Sequence, residues 1–253
     1  LSFTGSTQVG SLLIKECADL VIRTSMELGG NAPFVVLEDA DIPAAVAGAM
    51  VAKMRNGGSA CTSANRFYVH KKVAKEFTAG MAAAMGALKL APGLESGAQL
   101  GATVSVKERN KIAELVDTAV ASGGKIETGG VIPAGSGAFY PPTVLTVDQT
   151  NPILDFEIFG PVAPIVEIES DEEAIQLANA SPYGLISYVY SSDLKRALKV
   201  AESIESGMVA INRGVISDPA APFGGYKSSG LGREGGFDGI HEFLEKKYIG
   251  VEI

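Results

Sequence analysis

The sequence predicts an α/β fold in three layers, a mostly parallel sheet with helices on both faces. Two observations lead there. Short apolar runs alternate with longer segments of helical period along most of the chain, which is the pattern of parallel strands joined by covering helices. Several helical segments also carry their own boundary signals: Ser170 with Glu173 opens one as a capping box, and Gly123-Gly124 closes another. With 253 residues, 46% of them hydrophobic and 20% charged, the chain can bury one large core or two modest ones.

Taken in order, Leu1 to Phe3 reads as the end of a strand, followed by Thr4-Gly5-Ser6-Thr7-Gln8-Val9-Gly10 and a helix to about Ala18. Strand, glycine turn and helix start make an anion site, because the first amide N–H groups of a helix have no partner within it. A plain N-cap by Ser6 or Thr7 reads the same residues equally well. Val21 to Met26 is expected as a strand, with a second at Phe34 to Leu37 and an alanine-rich helix from Ile42 to Met54. Phe67 to Val69 follows as a strand, then helices at Val73 to Leu88 and Val106 to Ala121. The regular units after that are strand Ala163 to Ile168, helix Asp171 to Ala180, strand Ile186 to Tyr190, helix Asp193 to Ile204 and strand Met208 to Asn212. A glycine-rich loop, Gly224 to Gly236, leads to a short helix and a strand-like tail, Tyr248 to Ile253, of the kind that pairs with another subunit. The expected divisions are residues 1–25, 26–227 and 228–253.

Charge and composition exclude several partners. Twenty-one basic against 29 acidic residues give a net charge of −8 with no basic run, which argues against nucleic acid. No apolar stretch reaches the roughly eighteen residues of a membrane span, and no signal-peptide pattern opens the chain. The two cysteines, Cys17 and Cys61, do not suggest a secreted framework, so a reducing cytoplasmic setting is expected. A start on Leu1, straight into a strand end, suggests part of a longer polypeptide.

The chemistry centres on Arg55 to Arg66, RNGGSACTSANR, where Cys61 sits among small residues. Free cysteine is usually a small buried hydrophobe. Small neighbours, however, leave room for a ligand to approach both the sulfur and the adjoining amides. Glu27, flanked by Met26 and Leu28, is a carboxylate in apolar surroundings, where desolvation raises the pKa toward that of a base working near neutrality. Its ordinary reading is a strand-end glutamate facing solvent. The rival partner for a thiol would be histidine, but the only two, His70 and His241, fall at a strand end and in the C-terminal helix, and no protease signature surrounds Cys61.

Four motifs in order, MELGGN at Met26 to Asn31, the cysteine loop, EIFGP at Glu157 to Pro161 and PFGGYKSSGLGREGG at Pro222 to Gly236, resemble the aldehyde dehydrogenase superfamily. The resemblance covers the whole chain and corresponds to the C-terminal part of a family member about twice as long. It implies that residues 1–25 are the remnant of a dinucleotide-binding domain, 26–227 the catalytic domain, and 228–253 a loop, helix and oligomerisation strand of a homo-oligomer. Cys61 matches the nucleophile that attacks the aldehyde carbon. Glu27 matches the base that activates water to hydrolyse the resulting thioester. Gly5, Ser6 and Gly10 match the segment that meets the phosphates of NAD or NADP. Leu28, Glu157 and Phe159 match the nicotinamide side, with Glu157 on the ribose and Phe159 against the ring. No metal ligands are implied.

The C-terminal string from Leu231 to Tyr248 is most similar to the succinate-semialdehyde dehydrogenase branch, in which Arg55 and Ser217 match the residues that hold the distal carboxylate and Phe223 lines the aldehyde channel. The natural receptor for a carboxylate is an arginine fork; the plain reading of Arg55 is a solvated residue closing a helix. Two departures stand out: Ser59 replaces the usual glutamine, and Ser63 replaces the second cysteine that allows a disulfide switch in some members. Residues the family places in its N-terminal segment are absent from this sequence, so little activity is expected of these 253 residues alone. The alternatives are a noncatalytic domain with a binding or assembly role, or an aldehyde dehydrogenase for a different aldehyde.

Overall fold

A computed structural model describes residues 1–253. Its seven-stranded sheet has the order β10-β9-β3-β4-β7-β6-β5, formed by β3 (Ala32–Val36), β4 (Ala64–His70), β5 (Lys125–Thr128), β6 (Thr143–Thr146), β7 (Val162–Ile168), β9 (Ile186–Tyr190) and β10 (Met208–Ile211). All neighbours run parallel except β5, which returns antiparallel to β6. Period-two alternation divides the strand residues between two cores. Phe34, Val36, Phe67, Val69 and Ile165 face α2 (Ile42–Met54) and α3 (Lys71–Gly86). Val35, Leu37, Tyr68, Val166 and Val189 face α4 (Val106–Ala121), α5 (Asp171–Asn179) and α6 (Leu194–Ser203). This is the expected three-layer α/β arrangement.

A smaller sheet stands beside it. β1 (Ser2–Thr4) pairs parallel to β2 (Ser25–Glu27), and β12 (Gly230–Leu231) closes the other edge of β2 antiparallel. α1 (Thr7–Ala18) joins the first two, capped by Ser6, whose Oγ accepts from the Val9 N–H. The glycine-rich C-terminal loop thus returns to the strand carrying Glu27. Gly230, at φ 139°, must be glycine, since an added Cβ would lie 2.0 Å from the Met26 carbonyl oxygen. A second short ribbon, β8 (Tyr183–Gly184) with β11 (Tyr226–Lys227), anchors the same loop.

Direction matters more than content. The carboxyl ends of β1 and β2 meet the amino ends of β3, β4, β7 and β9, because Leu28 to Asn31 runs straight from the small sheet into the large one. The turns before β3, β4 and β7 contain Gly29-Gly30, Cys61 and Phe159-Gly160, so three of the four motifs converge at this one end.

Several expectations need correction. The strand expected at Val21 to Met26 begins only at Ser25; Leu20 to Ile22 are apolar but exposed, and Val21 takes φ 52°, outside strand geometry. β5 and β6 were not foreseen. They are four residues each, one of them largely exposed, and lack the apolar run of a central strand. Residue 25, at which the first division was expected to end, is the first residue of β2, whose carboxyl end lines the cleft described below. The C-terminal helix is a single 3-10 segment, Gly239–Phe243, and Tyr248 to Ile253 forms no strand, having no ladder to join within this chain. No helix is long and apolar enough to cross a membrane.

Candidate active site

A cleft of about 450 Å³ opens where the two sheets meet, lined by Thr4, Gly5, Ser6, Glu27, Leu28, Gly29, Cys61, Glu108, Lys111, Glu157 and Phe159. It brings together Gly5, Ser6, Glu27, Leu28, Cys61, Glu157 and Phe159, which the sequence singled out from four separate stretches.

Cys61 owes its position to a tight reversal after α2. Asn56, Gly57 and Gly58 all have positive φ, at 52°, 62° and 78°. The Asn56 side chain donates to the Ser59 carbonyl at 2.8 Å and stiffens the turn. Gly58 passes so close to the EIFGP loop that an added Cβ would sit 2.1 Å from the Gly160 carbonyl oxygen. Ser59, in place of the usual glutamine, directs its hydroxyl to the Phe159 carbonyl at 3.5 Å. Cys61 remains a free thiol, as does the buried Cys17. Burial pushes the Cys61 thiol up, and the charges of Glu27 and Glu157 push the same way, while the amides of Cys61 and Thr62 pull it down. It is not a thiol activated by a neighbouring cation.

Glu27 is buried, 6% exposed, at the end of β2. Its backbone is held on both sides: its carbonyl accepts from the Gly5 N–H at 3.0 Å and its strand pairs with Gly230. Burial raises its carboxyl to about 7, helped by the charge of Glu234 and opposed by Arg233. Arg233 is itself fixed by bonds to the Gly225 and Gly232 carbonyls and lies 5.4 Å from the Tyr226 ring centroid. Ser229 ties the same loop down, donating to the Gly29 carbonyl at 2.7 Å and accepting from the Gly184 N–H.

Glu157 accepts from the Gly30 N–H at 3.1 Å. Its carboxyl is raised by burial and partly restrained by that amide, by Lys111 and by Lys53. A side chain at Gly29 would crowd it, an added Cβ lying 2.8 Å from Glu157 Oε2. Phe159 presents about half of its surface to the cleft. Beyond Glu157 an adjoining hollow of about 530 Å³ runs along Ser6, Thr7 and Gln8 at the amino end of α1 and the face of α4 carrying Lys111, Glu114 and Thr118.

The remaining expected residues lie elsewhere. Gly10 is buried against Leu28 and does not line the cleft: an added Cβ would strike Leu28 Cδ2 at 2.4 Å, so its smallness serves helix packing. Ser217 and Phe223 line a separate cavity of about 190 Å³ with Ile216, Asp218 and Pro222. Cys61, Ile216 and Phe223 nonetheless pack on the same face of the large core. Arg55 makes no ion pair and donates from Nη2 to Thr62 Oγ1 at 2.9 Å, one residue past the thiol. Tyr188 donates to the Thr62 carbonyl at 2.8 Å. Sequence reading missed Glu108 and Lys111, which share one face of α4 and bear no local motif, and the buried Lys53.

The aldehyde dehydrogenase family model matches residues 1–249. The succinate-semialdehyde dehydrogenase of Paenarthrobacter nicotinovorans is 56% identical over 252 residues, covering 99% of this chain and 56% of that protein. The 3-sulfolactaldehyde dehydrogenase of Pseudomonas putida is 47% identical over 98% of this chain and 51% of its own length. Among solved structures, an NADP-dependent enzyme of E. coli superposes with a TM-score of 0.96 at 42% identity, over 98% of this chain and 52% of the other. The chain therefore spans about half the length of the relatives it matches.

Proposed function

The chain belongs to the aldehyde dehydrogenase family, and on that premise we propose that it supplies the nucleophile and base for oxidising a short aldehyde acid, succinic semialdehyde or a close analogue, with NAD or NADP. The meeting of Cys61, Glu27 and Glu157 in one cleft at the head of α1 carries the reading.

The cleft suits such a cofactor. Ser6 caps α1 through Val9 alone, which leaves the first turn of a twelve-residue helix to receive phosphate. Gly29 leaves space at Glu157, whose carboxylate can accept from ribose hydroxyls, and Phe159 offers an aromatic face to a planar ring. When bound, the nicotinamide supplies the acceptor for the hydride that leaves the aldehyde carbon.

Cys61 Sγ, as a thiolate favoured by the Cys61 and Thr62 amides, forms a bond to the aldehyde carbon while the carbonyl π-pair moves to oxygen, where the Cys61 amide helps to hold the negative charge. Glu27, with a carboxyl at about 7, takes the thiol proton, releases it to solvent while the thioester stands, takes a proton from the water that attacks the thioester carbon, and returns that proton to the departing sulfur. The C–S bond then breaks, and the acid and the free thiol are released.

Arg55 and Ser217 receive the distal charge of the substrate. Arg55 has no carboxylate partner of its own and keeps guanidinium donors free. The two curated relatives act on aldehydes whose names imply a carboxylate or a sulfonate at the far end. In the enzyme carrying this chain, Arg55→Ala is expected to raise KM for succinic semialdehyde about tenfold or more, leaving KM for an uncharged aldehyde of equal length unchanged. Equal effects on both would remove Arg55 from the site.

A further inference from the structure

Lys53, the penultimate residue of α2, is completely buried. A lysine in that position is rare unless it is paired, yet no carboxylate lies within ion-pair distance. Its Nζ donates to Asn65 Oδ1 at 2.9 Å and to the Ile158 carbonyl at 3.4 Å. Both partners are buried, and both belong to segments that build the cleft. Asn65 is the second residue of β4, four after Cys61, and Ile158 stands between Glu157 and Phe159. Burial lowers the ammonium to about 7, and the charge of Glu157 acts in the opposite direction. The same attraction appears at Glu157, whose carboxyl Lys53 and Lys111 both help to keep ionised.

The two loops touch at other points, but only through neutral contacts: the close approach of Gly58 to Gly160 and the Ser59 hydroxyl on the Phe159 carbonyl. Lys53 is the one charged group behind both. An apolar side chain of the same length would fill the space, so the cost of burying an ammonium here calls for a return.

We infer that Lys53 is a positioning residue: its buried side chain ties the Glu157–Phe159 segment to the start of β4 through Asn65 and the Ile158 carbonyl, keeps the Glu157 carboxylate aimed into the cleft, and so sets the affinity for the ribose of the dinucleotide. It does so without touching the cofactor or the thiol chemistry. The inference rests on the reading of Glu157 as the ribose receptor, which Glu157→Ala tests by itself.

The test is calorimetric titration of the enzyme carrying this chain with NADP⁺ and NAD⁺ in the absence of aldehyde, alongside the rate at which iodoacetamide alkylates Cys61. Lys53→Met is expected to weaken binding of the preferred dinucleotide about tenfold, as loss of a charge-assisted bond requires, while alkylation changes less than about twofold. A lysine that merely fills space would leave the affinity unchanged, and a general loosening of the cleft would shift both readouts together; either result overturns the inference. Should Lys53→Met not fold, Asn65→Ala decides. It removes one anchor and keeps the charge, with an expected weakening of about threefold; unchanged affinity overturns the inference. If Glu157→Ala weakens binding and the Lys53 and Asn65 variants do not, the positioning claim alone fails. If none of the three does, the assignment of Glu157 fails with it.

Discussion

The two ends of the large sheet carry carboxylates in opposite states. At the carboxyl ends of β3, β4, β7 and β9, Glu38, Asp39, Glu169 and Asp171 are matched by Lys71, Lys72 and Arg196. Arg196 grips Asp171 with two bonds of 2.6 Å and reaches Asp39 at 3.2 Å and Glu38 at 3.5 Å. Glu38 is held below the usual carboxylate range by its bond to Lys72, and Asp39, despite burial, by the Ser191 hydroxyl, the Asp193 amide and Arg196. At the amino ends, Glu27 and Glu157 are raised by burial and no cation lies within ion-pair distance of either. Open parallel sheets ordinarily bind ligands at the carboxyl ends of their strands. Here that end is neutralised within the protein, and the unpaired, perturbed groups gather at the other, where the carboxyl ends of β1 and β2 still point. Paired charges hold the fold; unpaired ones are left able to react.

The largest effect that could break this contrast is at Cys61. Cys61→Ala is expected to lower the rate of aldehyde oxidation by about 10⁴-fold, with a melting temperature close to that of the parent protein, because the side chain is only partly buried. Residual turnover within tenfold of the parent would move the nucleophile elsewhere. Next in size, Glu27→Gln should cut steady-state turnover by about 10²-fold. A rapid initial burst of reduced cofactor should survive at high pH, where the thiol ionises without help. A lost burst combined with normal hydrolysis of the thioester would reverse the roles assigned to Glu27.

At the opposite end the sign should differ. Arg196→Met strips three carboxylates of their shared partner, at a side-chain exposure of 24% for the arginine. Denaturant unfolding is expected to show a loss of about 2 kcal/mol, between the values for exposed and buried pairs. KM and kcat should not move, since none of these residues lines the cleft. A change in kcat would show that the two ends are coupled.

The sequence displayed one end far better than the other. Apart from Glu108 and Lys111, the cleft residues lie in short stretches next to glycines, where close approach at Gly29, at Gly58 and, in the loop behind Glu27, at Gly230 leaves a local trace. The members of the ion cluster stand singly at strand ends and helix starts, and nothing local distinguishes Arg196 from a solvated arginine. Lys53 was hidden for the same reason: in α2 it reads as a helix-ending lysine, and only the crossing of β4 with the EIFGP loop buries it. Hydrophobic pattern located the central strands, but failed at Val21, apolar and left exposed, and at the short edge pair β5 and β6. Gly10 matched a family motif, while its own packing is against Leu28.

The smallest effect is the most direct measure of what separates the two ends. In the unfolded chain the Glu27 carboxyl ionises near 4.5, and in the folded protein at about 7. Between those values the native state holds a proton that the unfolded state has released, so stability falls as pH rises through this window and stays lower above it. Replacing Glu27 by Gln removes the group that pays this penalty. The variant should therefore be more stable than its parent at pH 8, on the order of 1 kcal/mol once solvent screening is allowed for, and indistinguishable from it near pH 4.5. For Arg196→Met no such reversal is expected, because Glu38 and Asp39, two of the carboxylates it deserts, are depressed rather than raised: the contribution of Arg196 to them is full at neutral pH and is lost only as the pH falls through their lowered values. Melting curves of the two variants across pH should thus diverge in opposite directions. Parallel curves would mean that Glu27 is as well compensated in the folded chain as Asp39, and the cleft would lose its claim to a poised base.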